Sequence, residues 1–119
     1  MVAYFGAPWA ESVGGGKKRN GVQTMEKRRT EAMQTLLRVI TNVETVEECA
    51  ALFDDLCTIK EMQDMAQRLE AAALLSKGVS YQKIAAQLGI STTTITRVNR
   101  CLQYGSGGYR TALKRLEEN

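Results

Sequence analysis

A chain of 119 residues with 44% apolar residues and a single proline can hold one domain, scarcely two, and is too apolar for a disordered polymer. Its net charge of +3 excludes a strongly acidic or basic polyelectrolyte, and no apolar run approaches the ~20 residues that a membrane-spanning helix needs. Three cysteines without a CxxC spacing and no histidine leave neither a disulfide framework nor a common zinc ligand set, so no metal and no cofactor is expected.

Residues 1–24 contain Pro8, three consecutive glycines (Gly14, Gly15, Gly16) and the basic run Lys17-Lys18-Arg19. They read as a flexible leader: either an extension ahead of a natural start at Met25, or a short basic arm toward DNA. From Met25 a helical period sets in, and residues 25–119 are expected to form one domain. Met33, Leu36, Leu37, Ile40 and Val43 recur at three and four, which predicts an amphipathic helix over about 25–41. Val46, Cys49, Leu52, Phe53 and Leu56 predict a second, opened by a capping box of Thr45 and Glu48. Thr58 and Glu61 form another box before a longer helix striped with Ile59, Met62, Met65, Ala66, Leu69, Ala72, Ala73 and Leu75, which Lys77-Gly78 ends.

A short helix follows from Ser80 to Leu88, Gly89 turns the chain, and Ser91 caps a helix running to about Leu102. The segment from Tyr104 to Gly108 is a glycine-rich hinge, and residues 109–117 are expected to form a last helix with Leu113 and Leu116 facing inward. No segment alternates polar and apolar residues long enough for a strand, so the fold class is all-α with six helices. The cysteines Cys49, Cys57 and Cys101 lie among apolar residues and read as small buried hydrophobes in a reducing cytoplasm.

Residues 80–102 carry the functional signal. A helix-turn-helix needs a small residue where its helices touch, a residue tolerant of positive φ in the turn, and apolar plugs on both sides. Ala85, Gly89, and Ile84, Leu88, Ile90, Ile95 and Val98 supply these at the spacing of that motif. The second helix is rich in threonine, a mediocre helix former, and its hydroxyls and methyls suit base edges in a major groove. Thr92, Thr93, Thr94 and Thr96 are therefore the candidate base readers, with Ser91 on the same DNA-facing side and Arg97 in reach of a guanine. Ser80, Gln82, Lys83 and Arg100 are better placed for phosphates. Charge segregation agrees: residues 44–61 hold six acids against Lys60, whereas residues 78–110 hold four bases and no acid.

The stretch from Leu56 to Leu102 resembles the Trp repressor superfamily, in particular its bacterial branch of Trp-repressor-related proteins of the YerC/YecD type. The residues that carry the likeness are Leu56-Cys57-Thr58, Arg68-Leu69-Glu70 through Lys77-Gly78, Gln87-Leu88-Gly89 and Thr94-Ile95-Thr96-Arg97. The resemblance implies an intertwined homodimer that presents two reading heads to a palindromic operator on double-stranded DNA. It also implies an effector pocket at Thr58, Arg68, Arg97, Val98 and Cys101. Val98 stands where the tryptophan-binding protein has glycine, and its β-branched side chain would occupy the volume an indole needs. The basic residue usual on the first short helix is replaced by Ala85 or Ala86. Arg68 has a simpler role open to it, an ion pair with Asp64 one turn earlier.

The expected function is a transcriptional regulator, a repressor acting by occlusion without tryptophan. A repressor switched by a different small effector is one alternative. Another is a protein-interaction module whose partner surface is the acidic helix with Glu47, Glu48, Asp54 and Asp55. An enzyme is not expected, since no glycine-rich phosphate loop and no nucleophile beside a base is present.

Overall fold

A computed structural model describes residues 29–119. They form six α-helices and no strand: α1 (Glu31–Thr41), α2 (Val46–Leu56), α3 (Ile59–Ser76), α4 (Tyr81–Leu88), α5 (Thr92–Tyr104) and α6 (Gly108–Glu118). The leader at residues 1–24 lies outside the described residues. The chain divides into two compact units between Leu52 and Phe53.

In the first unit, the part of the expected helix at residues 25–28 lies outside the described residues, and α1 starts at Glu31, with Arg29 and Thr30 outside the helix. Thr30 is the reason: its hydroxyl accepts a hydrogen bond from the Met33 N–H, satisfying one of the donors a helix start leaves free. At the start of α2 the expected box is displaced by one residue. Thr45 Oγ1 accepts from the Glu48 N–H, but the Glu48 carboxylate reaches the Glu44 N–H, 2.9 Å away, instead of the Thr45 N–H. Neither helix has a buried residue. The apolar row Met33, Leu36 and Leu37 is partly open to solvent, and Val46 is 80% exposed.

The second unit holds the core. The capping box at Thr58 and Glu61 is complete and opens α3 as the spacing predicts. Only the last turns of α3 are buried. Ala71 and Ala72 are small enough to let Ile84 of α4 and Ile95 and Val98 of α5 close over them, with Leu74, Leu75, Val79, Tyr109 and Leu113 packed around. Toward its N-terminus the α3 stripe faces solvent, with Ile59 78% exposed and Met62 and Leu69 also exposed. A left-handed Gly78 (φ +82°) ends the helix, the Val79 N–H bonding to the Leu74 carbonyl and the Gly78 N–H to the Leu75 carbonyl. This is the Schellman arrangement, which turns the chain directly into Ser80, the N-cap of α4.

Several expectations for the C-terminal part need correction. α5 continues to Tyr104, two residues past its expected end, and Gly108 already belongs to α6. The hinge therefore shrinks to residues 105–107. Gly105 donates to the Cys101 carbonyl at 2.8 Å, so near that a Cβ there would strike the same oxygen. Leu113 packs on the core, but Leu116 is 68% exposed because α6 meets the core only along its first two turns. The cysteines are not uniformly buried either. Cys49 and Cys57 are half-buried and Cys101 is exposed, since it lies on the flank of α5 rather than its inner face.

Candidate nucleic-acid interface

The head is built from α4, its turn and α5. Ile84, Ile95 and Val98 are buried and plug the angle between the two helices, with Ala85, Leu88 and Ile90 half-buried against them. Gly89 caps α4 in the left-handed region (φ +67°) and donates to the Ala85 carbonyl at 2.9 Å. A side chain from α3 secures the turn: Gln67 Nε2 donates to the Leu88 carbonyl, 3.3 Å away and partly shielded from water.

Ser91 caps α5, its Oγ accepting from the Thr94 N–H and sharing a further hydrogen bond with Thr94 Oγ1. Thr96 Oγ1 donates to the Thr92 carbonyl at 2.8 Å. These bonds sort the threonines. The hydroxyls of Thr94 and Thr96 are engaged within the helix, and Thr94 is half-buried. The hydroxyls of Thr92 and Thr93 have no hydrogen bond among the described residues and sit on exposed side chains in the first turn.

At about 100° per residue, the buried Ile95, Val98 and Leu102 mark the inner side of α5 and place Thr93, Arg97, Arg100 and Tyr104 on the outer side, with Thr96 at its edge. The other expected contact residues, Ser80, Gln82, Lys83, Ser91 and Thr92, are exposed as well. Ser80 is already occupied at the start of α4, where its hydroxyl accepts from the Lys83 N–H. With no carboxylate in residues 78–110, nothing on this head opposes a phosphate backbone.

The residues of the expected effector pocket are differently disposed. Thr58 is the N-cap of α3, and Arg68 and Arg97 are exposed. Among the described residues no hydrogen bond or ion pair joins these three. The anticipated Arg68–Asp64 pair does not form, because Asp64 is taken by Lys60 at 2.9 Å on the preceding turn. Val98 is 2% exposed and part of the core, whereas Cys101 faces solvent.

Two supporting residues were not legible from spacing. Gln67 acts across 21 positions of sequence. Arg110, which counted only as a base, donates through Nε to the Leu102 carbonyl at 2.9 Å and through Nη2 to Gln103 Oε1 at 3.5 Å. It thereby ties α6 to the C-terminal end of α5.

Known proteins share this arrangement. The family model described as Trp repressor protein matches residues 31–117. The Bacillus subtilis protein YerC is 47% identical over 94 residues, covering 79% of this chain and 90% of its own length. A Trp operon repressor homolog from Xylella fastidiosa is 27% identical over 70 residues, 58% of this chain and 76% of that one. Among solved structures, a TrpR-like protein from Eubacterium eligens superposes with a TM-score of 0.73 at 40% identity, covering 76% of this chain and 94% of its own. A Staphylococcus aureus relative gives a TM-score of 0.74 at 41% identity, covering 82% and 96%. The helices that build the head and those that precede it thus fall within a single family match, and the chain belongs to the Trp repressor family, a family of DNA-binding transcription regulators.

Proposed function

We propose that this protein is a sequence-specific repressor, acting in the cytoplasm as a homodimer on a palindromic operator in double-stranded DNA. The observation that carries the reading is the outer side of α5, where Thr93, Arg97 and Arg100 stand exposed on a helix clamped to the core and free of acids. The N-terminal turn of α5 enters the major groove. There the unengaged hydroxyls of Thr92 and Thr93 meet base edges, Thr96 offers its methyl and its remaining lone pairs, and Arg97 reaches a guanine. Ser91 and Thr94 hold the turn in shape, while Gln82, Lys83, Arg100 and the Ser80 end of α4 face phosphates. The homodimer is supported by the apolar rows that a single chain leaves open along α1 and the first turns of α3.

Enrichment of bound sequences from a random duplex pool tests this directly. The expected product is an inverted repeat of two half-sites, and Thr93→Ala with Thr96→Ala relaxes the preference by roughly tenfold at the positions those residues read. Enriched sequences without two-fold symmetry, or a double variant that selects the same sites as the parent, would sink the reading.

The regulator works without tryptophan. Val98 is a buried plug between α3, α4 and α5, and the same volume cannot serve as both core and indole pocket. A ligand that binds only the native state must raise its melting temperature, so millimolar tryptophan is expected to leave Tm unchanged. A reproducible rise would restore a pocket beside Thr58, Arg68 and Arg97, and with it a switch by an effector.

A further inference from the structure

The last residue of α5 is unusual in its setting. Tyr104 is 86% exposed, its hydroxyl has no hydrogen bond among the described residues, and it continues the outer row of Thr93, Arg97 and Arg100. Along the helix Tyr104 lies 11 residues beyond Thr93, or about 16 Å at 1.5 Å per residue, which exceeds the ~12 Å width of a major groove. When such a helix lies across the groove with its first turn on base edges, its last turn comes to the flanking sugar-phosphate strand.

Two features prepare that end for an anion. The C-terminus of a helix is its negative pole and would by itself repel a phosphate. Here the Arg110 guanidinium lies on the Leu102 carbonyl and offsets that pole, while Arg100 stands one turn before Tyr104 on the same side. No acid lies between residue 78 and Arg110 to oppose the approach.

From this geometry we infer that Tyr104 is a DNA contact, its hydroxyl donating to a backbone phosphate at the edge of the groove that α5 enters. The inference rests on the DNA-binding reading above. It assigns to the C-terminal end of α5 a positioning contact that fixes how deeply the helix lies and carries no base information. Being neutral, the contact adds affinity without releasing counterions.

The test compares Tyr104→Phe and Arg100→Gln with the parent protein, measuring affinity for an enriched site and for random-sequence duplex over a range of salt. Tyr104→Phe is expected to weaken both duplexes by roughly tenfold, as each protomer of a dimer loses one hydrogen bond, with melting temperature and salt slope unchanged. Arg100→Gln is expected to flatten the salt slope, showing that the assay detects a lost charged contact. Equal affinity of Tyr104→Phe and parent would overturn the inference, as would a loss confined to the enriched site or one accompanied by a lowered melting temperature. A parent protein that binds neither duplex would overturn the DNA reading along with it.

Discussion

Raising the salt concentration fourfold, from about 50 to 200 mM, is expected to weaken binding of duplex DNA by roughly 10²-fold. Each protomer presents two bases of the head to phosphates, Lys83 and Arg100, because Arg97 is turned to a base edge and Arg110 is committed to the Leu102 carbonyl. A homodimer then neutralises about four phosphates, and for duplex DNA the logarithm of affinity falls by ~0.9 per phosphate for each decade of salt. Titrations at four or five salt concentrations give that slope directly. A slope near half the expected value would mean that one head engages at a time. A flat response would place the affinity outside electrostatics and favour an interaction module whose target is a protein.

Ile95→Ala is expected to destabilise the fold by about 3 kcal/mol, within the range for truncating a buried isoleucine in a tightly packed site. Ile95 is fully buried, and among the described residues only Ile84 and Val98 are comparably large and enclosed. It touches the fold where α3, α4 and α5 converge, so no neighbour can move into the space without shifting the helix that carries Thr93 and Arg97. Domains of this size hold about 5–15 kcal/mol in total, and the change removes a large part of that. The midpoint of urea unfolding reads the loss, and DNA affinity is expected to fall with it. A shift below about 1 kcal/mol would show that these helices do not share a packed core.

What the sequence makes legible follows interaction range. Caps at Thr58, Ser80 and Ser91, and the left-handed Gly78 and Gly89, were legible because each depends on residues three or four positions away. The start of α1 was missed although its signal is equally local. Thr30 lacks an acid three residues on, so the apolar period invited a longer helix. The partner of Asp64 also differs from the expected one. Asp64 has Lys60 one turn before and Arg68 one turn after, and the usual preference for an acid preceding its base favours Arg68, yet the bond goes to Lys60. Burial was the least legible quantity. Leu113 and Leu116 are equivalent in period, and what separates them is where the core ends. The candidate site was legible as a set of residues. Which of its hydroxyls are already engaged emerged only with the backbone in place.

The bond between Gln67 and Leu88 bears on how the DNA is measured. With the Schellman turn at Gly78 it fastens α4 to α3 at two places, one beside Gln67 and one at the end of the helix. The head therefore has no joint of its own, and its aim is the aim of α3, an unbroken rod of 18 residues and about 27 Å. Over that length each degree of tilt carries the tip by ~0.5 Å, whereas one added base pair displaces a half-site by ~3.4 Å and turns it about the duplex. In the proposed dimer such a change cannot be absorbed near α5. It must be met where the two copies join, so tolerance for operator spacing is a property of that join and not of the residues that touch DNA.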